Sequence, residues 1–119
     1  MGLTHVRATI ANPGRLKKRA RLRFLVDSGA LYSVAPAVVL RRLGIAPHTT
    51  QTFTLADGTE VRRAIGDATF IVGGKRGASP VIFGEADDSL LLGSVSLEAL
   101  GFMLDPFKRV LRPVPMVLG

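Results

Sequence analysis

Residues 19–24 alternate strictly, Arg19, Arg21 and Arg23 with Ala20, Leu22 and Phe24, before the run closes on the apolar pair Leu25-Val26. A period of two predicts a strand with one wet face and one packed face. The chain reads as two strands here, 6–11 and 18–26, joined through the turn formers Asn12-Pro13-Gly14. Residues 36–44 place Pro at an early helical position and Gly at the stop, which predicts a short helix. Residues 52–55 alternate polar with apolar, Asp57-Gly58 is a tight-hairpin dipeptide, and 59–62 alternate again, so an exposed, mobile hairpin is expected. Residues 65–72 and 78–83 form a further strand pair around Gly73-Gly74-Lys75-Arg76-Gly77. Residues 90–92 are a short apolar strand ending at Gly93. Residues 94–101 follow with Ser94 in a capping position and Gly101 as terminator, a second short helix. A last pair of strands surrounds Asp105-Pro106. Short strands punctuated by turns, with two short helices, predict an all-β, mainly antiparallel architecture closing into a small barrel.

The 119 residues suffice for one domain with a real core and are too few for two, so residues 1–119 are read as a single domain. Hydrophobic residues at 47% against 21% charged exclude a disordered chain and fit a compact protein or a subunit with an apolar interface. Cysteine is absent, which rules out disulfides, thiolate metal sites and a catalytic Cys. His5 and His48 have no matched ligand partners and Glu85, Asp87 and Asp88 read as a solvated connection, so no metal is expected. The glycine-rich turn at 73–77 lacks the Gly-Lys-Ser/Thr of a phosphate loop. The longest apolar run, 34–40, is too short to span a bilayer, and no basic start precedes an apolar stretch at the amino terminus. No membrane association and a cytoplasmic location are the expectations.

The net charge of +7 raises the question of a nucleic-acid partner. Six basic residues fall in 15–23, namely Arg15, Lys17, Lys18, Arg19, Arg21 and Arg23. Charge runs usually mark solvated faces, and no aromatic residue lies between these positions to stack on a base. A solvated hairpin face is therefore the favoured reading, with nucleic acid at the 15–23 hairpin as the lesser one.

The stretch with chemistry in it is Asp27-Ser28-Gly29-Ala30, reached directly from the apolar residues 24–26. An unpaired carboxylate is costly to hold at the end of a buried strand, yet Asp-Ser-Gly is also ordinary turn chemistry. These residues alone leave both readings open. The order of features along the chain is more specific. A hairpin and an apolar strand lead into Asp27-Ser28-Gly29-Ala30, an Asp-Gly turn follows 30 residues later at Asp57, and Leu91-Leu92-Gly93 precedes a helix.

This order, over roughly residues 6–111, resembles the retropepsin-like aspartic proteases. The resemblance implies an acid-protease half-barrel with one or two short helices, and an aspartic endopeptidase acting on peptide or protein substrates as a homodimer, without cofactor. Asp27 matches the catalytic aspartate, one per subunit, that activates water. Ser28 stands where the family has Thr or Ser, whose hydroxyl braces the loops across the dimer, and Gly29 and Ala30 complete the loop. Leu92 and Gly93 match the segment that packs beside it. Ala56, Asp57 and Gly58 fall at the flap tip over the substrate. Two features depart from the family: the tip is Ala-Asp-Gly in place of a glycine-rich one, and the tail at 109–119, with Pro113 and Pro115, runs further past the last helix than in the retroviral enzymes. Tyr32 reads as packing. The alternative from another class is a noncatalytic β-barrel module that binds peptide or nucleic acid.

Overall fold

The computed structural model describes residues 3–115, 117 and 118. Strands β1 (His5–Asn12) and β2 (Arg15–Val26) pair antiparallel, Ile10 opposite Ala20 and Ala8 opposite Leu22. Their turn is closed by Asn12, whose Oδ1 accepts the Gly14 amide at 2.9 Å while its Nδ2 donates to the Leu43 carbonyl at 2.9 Å. The chain continues through β3 (Ser33–Pro36), α1 (Ala37–Arg42), β4 (Thr49–Thr54), β5 (Glu60–Val72), β6 (Lys75–Gly84), β7 (Leu91–Leu92), α2 (Ser94–Leu100), β8 (Phe102–Asp105) and β9 (Val110–Pro113).

Seven strands form one sheet in the order β1-β2-β7-β3-β6-β5-β4, and β8 pairs with β9 in a separate ribbon. A further pairing of β1 with β5, Ile10 opposite Phe70, closes six of the seven into a ring. β4 stays outside it, as an arm attached to the first half of β5. The period-two pattern explains the closure: Ala8, Ile10 and Phe24 from the first hairpin, Ala68 and Phe70 from β5, and Val81 and Phe83 from β6 all point inward and are buried. The Phe24 and Phe70 rings meet edge to face at 5.9 Å between centroids. Burying a side chain of this size contributes about 1.5–3 kcal/mol.

Three elements differ from the sequence expectation. Residues 60–62 and 65–72, expected as separate strands, belong to one strand, β5, whose first half carries the arm and whose second half belongs to the barrel. β3 was not expected; four residues ending in Pro are too short to show a period, yet β3 bridges β6 and β7 in the sheet. The N-cap of α2 is Gly93, and Ser94 makes no side-chain cap bond. No helix among the described residues is long and apolar enough to cross a membrane.

Candidate active site

β2 delivers Asp27 to a fixed position because both of its neighbours hold the strand end. The Leu25 amide donates to Leu90 O at 2.9 Å, Val26 to Thr4 O at 2.8 Å and Asp27 to Leu92 O at 3.0 Å. β7 runs parallel alongside, Val26 opposite Leu92, and the Leu92 side chain is fully buried beneath the junction. The chain then turns sharply. Asp27 Oδ1 accepts the Gly29 amide at 3.0 Å and the Asp27 carbonyl accepts that of Ala30 at 3.1 Å, so Asp-Ser-Gly is a turn and presents an acid as well. Asp27 is half-buried, Ser28 and Gly29 are exposed, and among the described residues Asp27 takes part in no ion pair.

The same loop is tied to α2. Ala30 O accepts the Ser94 amide at 2.8 Å and Leu31 O accepts that of Val95 at 3.1 Å. These carbonyls satisfy two of the donors that a helix start leaves free, which is why Ser94 has no capping to do. Gly93 sits where the two chains cross: a Cβ there would lie 2.7 Å from the carbonyl carbon of Tyr32 and 2.9 Å from Leu31 O. Below it, Ser33, Ser79 and Ser96 form a buried chain of hydroxyls. Ser33 Oγ accepts the Gly93 amide at 2.9 Å and bonds Ser96 Oγ, which lies 2.7 Å from Ser79 Oγ. This chain joins β3, β6 and α2 under the acid loop.

The β4–β5 arm ends in a tight turn, in which Leu55 donates to Thr59 O at 2.7 Å and Gly58 to Leu55 O at 2.9 Å, Gly58 taking a φ of 88° that only glycine adopts without strain. Thr59 donates its amide to Asp57 Oδ1 at 2.9 Å. Hydrogen bonding by Thr59, its side chain first and its amide next, holds the Asp57 carboxyl below its ordinary value. Ala56, Asp57 and Gly58 are all exposed at the tip.

Between the arm and the acid loop lies a cleft of about 650 Å³. Its walls are mostly apolar, among them Leu31, Tyr32, Val34, Phe53, Val61 and Ile82. Ala30 lines it, while Asp27, Ser28, Gly29 and the tip residues 56–58 stand outside its lining. Tyr32 is thus a wall residue and not core. The cleft's composition is not legible in the sequence, since its residues come from five strands and three connections; the alternation around Phe53 and Val61 is the available signal.

Across this cleft Arg63 of β5 grips Asp88 of the loop before β7, Nε to Oδ2 at 2.7 Å and Nη2 to Oδ1 at 3.1 Å. Asp88 Oδ2 also accepts the Glu85 amide at 2.7 Å. The sequence pattern predicts a solvated Asp88, but this fork leaves its side chain 24% exposed and that of Arg63 17%. The Arg63 guanidinium holds the Asp88 carboxyl below its ordinary value of 3.8. Because the folded-state value is depressed, the stabilisation is present in full above about pH 3.8 and is lost as pH falls through the folded value. Asp88→Asn is expected to cost about 1 kcal/mol at neutral pH and nothing well below the carboxylate range, as measured by urea unfolding at the two pH values. Equal cost at both would show that the ion pair contributes nothing.

Comparison with known proteins agrees with this geometry. The family model described as "Aspartyl protease" matches residues 6–95. No curated protein sequence matches the chain. Among solved structures, the simian foamy virus (mac) protease aligns with a TM-score of 0.54 at 23% identity, over 82% of this chain and 92% of that one. The EIAV protease, solved with the inhibitor HBY-793, aligns with a TM-score of 0.63 at 18% identity, over 98% of this chain and 94% of that one. A barrel closed by β1 and β5, a pinned Asp-Ser-Gly turn and a sequence match over 6–95 converge on one answer: the chain belongs to the aspartyl protease family and is an aspartic-type peptidase with the fold of the retroviral proteases.

Proposed function

We propose that residues 1–119 act as one endopeptidase domain that hydrolyses peptide bonds as a homodimer, with Asp27 of each copy forming the catalytic pair. The observation that carries this reading is the half-buried, unpaired Asp27 carboxylate on a rigidly held turn, beside a cleft it does not itself line. A lone acid at the border of a peptide-sized apolar cleft is half of an acid–base device. A two-fold related copy supplies the other half by bringing the same loop opposite itself.

Two facing carboxylates cannot both carry charge at close range, so they hold one proton between them. The ionised partner takes a proton from water as the water oxygen attacks the scissile carbonyl, and the protonated partner donates a hydrogen bond to the carbonyl oxygen. Collapse of the tetrahedral species breaks the C–N bond, with the proton delivered to the leaving amine. Water and two side chains suffice for the step, with no cofactor. Ser28, exposed next to Asp27, reaches across to brace the opposing loop, while Gly29 and Ala30 fix the turn. Leu92 and Gly93 fix the loop from below. Ala56, Asp57 and Gly58 close over a substrate that lies extended and makes main-chain bonds to the arm. The walls of Leu31, Tyr32, Val34, Phe53, Val61 and Ile82 favour apolar side chains in that substrate. The test is cleavage of an unfolded protein, followed by the appearance of new amino termini; the expected result is turnover that disappears in Asp27→Asn.

A further inference from the structure

The whole net charge of the chain sits on one hairpin. Residues 1–26 contain Arg7, Arg15, Lys17, Lys18, Arg19, Arg21 and Arg23 and no Asp or Glu, whereas residues 27–119 hold nine basic and nine acidic residues. The pairing of β1 with β2 sets Arg7 opposite Arg23, Thr9 opposite Arg21 and Ala11 opposite Arg19. Directly opposed residues share a face, so Arg7, Arg19, Arg21 and Arg23 all project from the outer side of the barrel. Two further pairings, Thr9 with Ile71 and Ile71 with Arg76, carry the same face on to Arg76 of β6. All five arginines are exposed, and none belongs to an ion pair among the described residues. Arg19 uses its Nε on the Leu16 carbonyl at 2.7 Å.

Like charges placed directly across a strand pair destabilise it. This hairpin carries the Arg7–Arg23 pair with no carboxylate of its own to offset it, a cost that a bound polyanion removes. Guanidinium forks match phosphate oxygens two at a time. Alternate residues on one strand stand about 6.8 Å apart, which makes the row Arg19, Arg21 and Arg23 a ladder of such forks. The chemistry of the face also narrows the partner. The hairpin's only Phe, Tyr or Trp is Phe24, which is fully buried in the barrel, so its outer face gives the bases of a single strand nothing to stack on. No aliphatic side chain of β1 or β2 is exposed either, so the hairpin has no wedge to insert into a lipid surface. A basic two-stranded ribbon does fit against a duplex groove.

We propose that the outer face of the β1–β2 hairpin binds the phosphate backbone of double-stranded nucleic acid without sequence preference. The cleft is lined by neither β1 nor β2, so this site is separate from the peptidase site and stands or falls independently of it.

The experiment measures binding of the whole chain to a labelled DNA duplex and an RNA duplex of equal length by anisotropy across a salt series. An oligo-dT single strand and vesicles of anionic lipid are run in parallel. Binding to duplex is expected, with a slope of about −4.5 in log K against log salt, from five arginines. Arg19→Gln, Arg21→Gln and Arg23→Gln together should weaken it at least about tenfold and flatten the slope by about 2.7. Arg7→Gln and Arg76→Gln, each alone, should flatten it by about 0.9. The charge-matched triple Arg42→Gln, Lys108→Gln and Arg109→Gln, on exposed positions elsewhere, should leave binding within about twofold. The proposal is overturned by equal losses in the two triples, by tighter binding to oligo-dT or vesicles than to either duplex, or by no duplex binding at low salt.

Discussion

Asp27→Asn is expected to reduce the rate of peptide cleavage by about 10³–10⁴-fold while leaving the unfolding midpoint where it was. The two halves of that expectation come from different atoms. Asn cannot accept a proton from water, nor hold one for its partner, so the acid–base step loses its agent. The turn, by contrast, needs only an acceptor at Oδ1 for the Gly29 amide, now bonded at 3.0 Å, and the Asn carbonyl supplies it. The backbone bonds from Asp27 to Leu92 and from Ala30 to Asp27 do not involve the side chain at all. Initial rates of amino-terminus release, set beside urea unfolding curves, read both halves. Retained cleavage would remove Asp27 from the chemistry, and lost cleavage with lost folding would make it a structural acid.

Gly93→Ala is expected to destabilise the protein by about 3 kcal/mol, the upper end of what overpacking costs, although the change is one methyl group. The cause is space. Gly93 has φ −91° and ψ 176°, which any residue adopts, so its dihedrals impose nothing. The new Cβ would meet Tyr32 C at 2.7 Å, Tyr32 O at 2.8 Å and Leu31 O at 2.9 Å. These are backbone atoms and cannot swing aside as a side chain would. Leu31 O is moreover the acceptor for Val95, and the Gly93 amide is bonded to Ser33. Relief must therefore shift either the start of α2 or the loop that carries Asp27, and activity should fall with stability although no catalytic atom has been touched. Urea unfolding and kcat on the same preparation test this. A loss below about 0.5 kcal/mol would mean that the crossing is looser than its distances say.

What could be read from the sequence was local. Strand β2 and its entry into Asp27 were legible because Arg19 to Phe24 alternate without interruption and Asp-Ser-Gly ends the run. Both helices announced themselves through Pro36, Gly44 and Gly101. What failed depended on partners far along the chain. Ser94 resembled a cap, but the carbonyls of Ala30 and Leu31, more than sixty residues earlier, had already met the need. β5 was cut in two because Arg62 and Arg63 broke the alternation; Arg63 is a charge on the cleft side that is tolerated there because Asp88, 25 residues later, receives it. The hydroxyl chain of Ser33, Ser79 and Ser96 left no trace, since each serine on its own is unremarkable and its partners lie 17 and 63 residues distant. For the site, the acid, its turn and the arm are legible in order along the chain, and the family resemblance implies roles for them; the cleft walls and the supports beneath the loop emerge only in three dimensions.

The central claim is that one chain holds half of a catalytic pair and a second copy completes it. Subunit mixing tests this most directly: wild-type protein is combined with Asp27→Asn protein at fixed total concentration, allowed to exchange, and assayed as the wild-type fraction is lowered. If both copies must supply Asp27, activity follows the square of that fraction and an equal mixture retains about a quarter of the starting rate. Activity that falls in direct proportion, with about half retained in the equal mixture, would mean that each chain cleaves on its own and would contradict the account.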